Sequence, residues 1–136
     1  MKTAGDVFDA AMALMDELNT SGEPRTADTK EYEYRAPGIV NMMIGEKRIL
    51  CGEHGTLITV ESLDDDLIGI EDNYALAVMN YGLAANLLVD ENPTAAAFYE
   101  QRYEELRDRF LQRQTAAQGD IENLYGGIEY GEFSRW

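Results

Sequence analysis

From Asn73 to Val89 the chain reads NYALAVMNYGLAANLLV, an uncharged run bounded by Asp72 and Asp90. The architecture turns on what this run is. At about 17 residues it is shorter than the roughly 18–20 apolar residues of a membrane span. Asn73, Asn80 and Asn86 interrupt its apolar character, and no basic residue anchors either end. The reading that fits is a helix buried on most sides in a soluble protein, with no role in a membrane.

A helix buried all round needs other helices to cover it, and the flanking sequence supplies them. After the turn Asp90-Glu91-Asn92-Pro93-Thr94, Pro93 suits the first turn of a further helix, where its missing N–H costs little. That helix is expected to run to about Ala117. A connection of about five residues makes the two antiparallel neighbours. Gly82, Ala84 and Ala85 on one, and Ala95, Ala96 and Ala97 on the other, allow close backbone approach.

Upstream, Val7, Phe8, Ala11, Leu14, Met15 and Leu18 follow the spacing of one helical face, predicting a helix from about Thr3 to Asn19. Thr3 and Asp6 fit a capping box. Gly22 and Pro24 mark a linker over Thr20–Ala27. Asp28 or Thr29 is placed to cap a second helix to about Lys47, which Pro37 and Gly38 are expected to kink or break. Residues 48–60 hold RILC, then Gly52-Glu53-His54-Gly55, then TLITV, which reads as a short β-hairpin. The expected fold is therefore mainly α: a small helical bundle over residues 1–120 with a hairpin insertion at about 48–60. An extended C-terminal tail over residues 121–136 follows it.

With 136 residues, the chain has enough length for one core. Its 11 Lys+Arg against 26 Asp+Glu leave a net charge of −15. Such a surface repels phosphate backbones and anionic membranes, so tight nucleic-acid binding is not expected. One cysteine, Cys51, excludes a disulfide within the monomer and suits a reducing cytoplasm. The N-terminus lacks the apolar core of a secretory signal.

Motifs for catalysis are weak. Cys51 and His54 lie three residues apart, but no orienting third group or further zinc ligand accompanies them. Asp64-Asp65-Asp66 fails the EF-hand template: with Asp64 first, Ile68 and Ala75 occupy positions that need oxygen ligands. Capping ahead of the uncharged helix explains the acids better. No phosphate loop or nucleophile elbow occurs. No enzyme, metal or cofactor is expected.

Two features point instead to assembly. In the last helix Arg102, Arg109 and Arg113 fall within about 40° of each other, with Glu100, Glu104 and Asp108 on the far side. The alternative is a solvated helix with one Glu105–Arg109 pair. The C-terminus, IENLYGGIEYGEFSRW, carries Tyr125, Ile128, Tyr130, Phe133 and the sole tryptophan, Trp136, spaced by glycines. These are anchors for an interface, since aromatic side chains dominate interface energetics. A strap onto its own subunit is the plainer reading.

The run SLDDDLIGIEDNYALAVMNYGLAANLLVDENPTAAAFYEQRYEEL, followed by LYGGIEYG, resembles the head–tail connector proteins of long-tailed bacteriophages, also called head-completion or adaptor proteins. The likeness rests on the acidic LDD loop, the helix carrying Tyr81-Gly82-Leu83-Ala84-Ala85, the acidic turn, the Tyr-Glu-Glu helix and the Gly-Gly tail. VFDAAMALMDELN and ADTKEYEYRAPGIVN are similar to proteins of the same structural module. The resemblance implies a virion protein made in the host bacterial cytoplasm, forming a ring of twelve copies beneath the portal protein. DNA would pass through without tight binding, and a further connector or tail-terminator protein would attach below. Residues 51–54 match no feature of that family. Two other readings stay open: an acidic DNA-mimic inhibitor of a host protein, and a tail-proximal structural protein.

Overall fold

The structure is a computed structural model that describes residues 1–17 and 22–126, with side chains described as far as Arg113. Among the described residues the secondary structure is helical, with one isolated β-bridge, Thr3 to Asp66, and no strand. Helix α1 spans Ala4–Leu14 and α2 spans Lys30–Leu50. Helix α3 is continuous through Asp72–Tyr74, a π-helical turn at Ala75–Met79, and Asn80–Leu88. Helix α4 spans Pro93–Gly126.

The uncharged run is the central helix, as its composition demands. Tyr74, Ala75, Val78, Met79, Leu83, Ala84 and Leu87 are buried, and α3 packs against all three other helices. No helix among the described residues is long and apolar enough to cross a membrane.

Helix α1 begins with the expected capping box: the Thr3 Oγ1 accepts from the Asp6 N–H at 3.1 Å, and the Asp6 carboxylate accepts from the Thr3 N–H at 2.9 Å. Its next two free donors are met from far away, Ala4 N–H by the Asp65 carbonyl and Gly5 N–H by the Leu63 carbonyl. Gly5 permits this approach, because a Cβ there would stand 2.8 Å from the Leu63 oxygen. The helix stops at Leu14, earlier than the apolar spacing suggests. Asp16 takes a left-handed φ of 59°, and the Glu17 and Asp16 N–H groups turn back to the Met12 and Ala13 carbonyls. Leu18 lies outside the described residues.

Thr29 takes the N-cap position of α2 and is fully buried. Pro37 does not break this helix. Tyr32 and Ala36 before it, and Val40, Met43 and Ile44 after it, are buried in one core. Their burial outweighs the roughly 3 kcal/mol that an internal proline costs.

The expected hairpin at 48–60 is absent. Arg48, Ile49 and Leu50 continue α2, and Gly52, at φ 69°, ends it. The Glu53 N–H reaches the Arg48 carbonyl at 2.9 Å and the Gly52 N–H the Ile49 carbonyl at 3.1 Å, a full Schellman cap. Downstream, Val60 finds a side chain where a strand would offer a backbone. The Asn41 amide donates to the Val60 carbonyl at 2.8 Å and accepts from its N–H at 2.7 Å.

The α3–α4 hairpin forms as its short connection requires. Asn92 caps α4 by accepting from the Ala95 N–H at 3.2 Å, with Pro93 as first residue. Gly82 is the crossing point, since a Cβ there would lie 2.5 Å from the Met43 sulfur and 2.9 Å from the Tyr103 ring. Arg35 covers the C-terminal end of α3 through the Asn86 and Leu87 carbonyls, at 3.1 and 3.3 Å. Helix α4 carries on past Ala117 to Gly126, so residues 121–126, read as tail from the sequence, are helical.

Candidate functional site

The surface of α4 divides its arginines by partner. Arg102 pairs with Glu105 at 3.1 Å and lies over the Tyr81 ring. Glu105 is thereby taken by Arg102, not by Arg109. Arg107, which sequence reading did not single out, bridges to Glu46 of α2 at 3.2 Å and lies over the Tyr103 ring. The Tyr103 hydroxyl donates to the same Glu46 carboxylate. Burial, followed by that carboxylate, holds the Tyr103 phenol far above its ordinary range.

Arg109 and Arg113 differ from these two. Both are exposed, and neither has an ion-pair partner among the described residues. They border a groove of about 530 Å³ between α3 and α4, lined also by Asn73, Ala77, Val78, Leu106 and Phe110. Ala77 and Val78 come from the π-helical turn, where the chain adds a residue to one turn and widens locally. Phe110 is fixed edge-on to Tyr74, with ring centres 5.0 Å apart. Behind these rings sits a buried cation. Lys47, 2% exposed, is paired to Glu71 at 3.2 Å and to Glu53 at 3.9 Å, and lies over both Tyr74 and Phe110. The groove therefore has a rigid apolar floor and a positive rim.

The acids of α4 are not equivalent. Glu104 and Asp108 are exposed, but Glu100 is half-buried. Burial first, then Glu104 and Glu46, push its carboxyl up to about 7, against the opposing pull of Arg107. That side of α4 therefore borders α2 in part.

The outer face of α2 is unusual for a surface helix. Tyr34, Met42 and Ile49 are 87%, 54% and 80% exposed. With Gly38 and Gly45 they fall within about 80° of arc, on the side opposite the buried Tyr32, Ala36, Val40 and Met43. A Cβ at either glycine would meet nothing within 4 Å. Each interior glycine costs a helix roughly 0.5–1 kcal/mol relative to alanine, and no packing within the described chain accounts for it.

Two of the weak catalytic candidates, Cys51 and Asp65, have structural roles. Cys51 is the half-buried C-cap of α2, and burial pushes its thiol up, away from the thiolate a nucleophile needs. His54 is exposed on the loop beyond it. The Asp65 carboxylate accepts from the Glu61 and Ser62 N–H groups at 2.7 and 3.1 Å, so it shapes its own loop. Among the described residues no group of His, Cys, Asp or Glu is arranged to hold a metal ion. Of the expected tail anchors, Tyr125 falls where only the backbone of α4 is described, and Ile128, Tyr130, Phe133 and Trp136 lie outside the described residues. No protein-family model, curated protein or solved structure matches this chain.

Proposed function

We propose that this chain is a non-enzymatic structural subunit of a bacteriophage head–tail junction, assembling as a ring beneath the portal protein with the tail attached below. The sequence resemblance supplies the setting. The observation that carries the assembly part is the outer face of α2, where Tyr34, Met42 and Ile49 are exposed beside two bare glycines. A helix face that is apolar away from its own core, with glycines that admit a close backbone, suits coverage by another helix. Net charge of −15 complements this role, since an acidic channel wall lets DNA pass without sticking.

Native mass measurement of the full chain, alone and with the portal protein, tests the reading. A large ring is expected in at least one condition. Gly38→Leu/Gly45→Leu should abolish it while leaving the helical content and melting of the monomer intact. A monomer or dimer in both conditions that displaces duplex DNA from a DNA-binding protein would instead identify an acidic mimic.

A further inference from the structure

The groove between α3 and α4 is an apolar floor with two guanidinium groups at its rim that have no ion-pair partner among the described residues, on a chain that is otherwise strongly acidic. An occupant must combine apolar side chains with carboxylates. Residues 127–136, GIEYGEFSRW, do so within ten residues: Ile128, Tyr130, Phe133 and Trp136 are apolar or aromatic, and Glu129 and Glu132 lie between them. We propose that this segment of a second copy of the chain seats in the groove. Its rings lie on Val78, Leu106 and Phe110, and its two glutamates face Arg109 and Arg113. The proposal rests on the reading of the chain as an assembly subunit and specifies the contact between copies.

Reach argues for a second copy over the same one. Helix α4 runs from Phe110 to Gly126, which at 1.5 Å per residue is roughly 24 Å beyond the groove. An extended chain covers at most about 3.6 Å per residue. Turning back from Gly126, Tyr130 would reach only about 14 Å and Phe133 about 25 Å. In its own subunit, then, the segment brings only Trp136, and Phe133 at full stretch, to the floor, and Ile128, Glu129 and Tyr130 fall short. A segment arriving from a neighbour has no such limit. Pairing two exposed arginines with two glutamates adds little per pair in water, so the rings must supply most of the affinity and the charges the register.

Trp136 is the only tryptophan, so its fluorescence reports the segment without a label. In the full chain its emission should shift to shorter wavelength, and become protected from a soluble quencher, as protein concentration rises from low micromolar towards millimolar. Arg109→Glu/Arg113→Glu should abolish the shift, as should Glu129→Lys/Glu132→Lys, with circular dichroism melts confirming that both variants fold. Mixing the two charge-reversed variants should restore it. A shift independent of concentration would mean docking within one subunit and would overturn the proposal. So would a shift that survives both reversals, or no shift at any concentration. Sedimentation of the same samples separates this contact from the ring. A ring that persists with Trp136 exposed refutes the groove contact alone. Protected Trp136 in a species no larger than a dimer supports the groove contact and refutes the ring.

Discussion

Glu100 shows how one side chain can register pH in an otherwise ordinary helix. Its folded-state carboxyl, pushed up to about 7, lies above the ordinary value of about 4.3 for an unfolded chain. The folded state therefore holds this proton more tightly than the unfolded state. The stability it contributes is fully present below about pH 4.3 and is lost as pH rises through about 7. Because the group is only half-buried and water still reaches it, the effect is discounted to on the order of 1 kcal/mol. Glu100→Gln should flatten that part of the curve, so the variant gains stability over the native chain at pH 8 and not at pH 4, read by urea melts at both. Two glycines make an opposite pair of predictions. Gly82→Ala forces a methyl against Met43 and Tyr103 and should cost about 1–3 kcal/mol, because a crossing point has no room. Gly38→Ala, with nothing within 4 Å, should stabilise the isolated chain by roughly 0.5–1 kcal/mol. Equal destabilisation by both would show that Gly38 is already packed within the monomer.

At the scale of elements, the segment between α2 and α3 depends on a side chain for its anchorage. Val60 is 3% exposed, and both its backbone hydrogen-bonding groups are met by Asn41. Asn41→Ala would leave a buried N–H and C=O without partners, a cost of about 1–3 kcal/mol for each group that water does not reach. The expected result is a lower melting temperature and faster amide exchange over residues 51–61, with α1 and the α3–α4 hairpin still protected. Uniform loss of protection would mean that the segment is integral to the global fold. Neighbouring elements are joined in the same way. The Tyr32 hydroxyl ties α2 to Glu91 in the α3–α4 turn at 2.7 Å, and the Tyr99 hydroxyl ties α4 to the Leu14 carbonyl at the end of α1 at 2.8 Å.

For the whole molecule, charge governs what the surface refuses. With 26 acidic and 11 basic residues, the chain has few cations with which to release counterions from DNA, and Lys47 is buried. Most described arginines are tied to the chain itself: Arg25 to Asp9, Arg35 to α3 carbonyls, Arg48 to Glu53, Arg102 to Glu105 and Arg107 to Glu46. The full chain should show no retention on duplex DNA at moderate salt. Tight binding that weakens steeply with added salt would overturn the proposed channel-wall role. Arg109 and Arg113 are the exposed exceptions among the described arginines, which is why they suit an acidic partner.

The sequence by itself determined the central helix, because an uncharged run between two acids has one stable environment, and it determined the α3–α4 hairpin and the capping box of α1. These features depend on spacing and composition within one stretch of chain. Tertiary structure decided the cases in which two local signals competed. Gly52 can start a hairpin turn or close a helix, and it closes one because Ile44 and Lys47 hold α2 in the core up to that point. Pro37 can break a helix, but burial on both sides of it keeps α2 whole. Asp16 ends α1 in a left-handed conformation that the continuing apolar spacing hid. The division of Arg102, Arg107, Arg109 and Arg113 between internal pairs and an open groove lay beyond the sequence altogether. It depends on carboxylates and rings contributed from other helices and from the next turn of α4, and the periodicity of α4 alone does not tell which of them each guanidinium will meet.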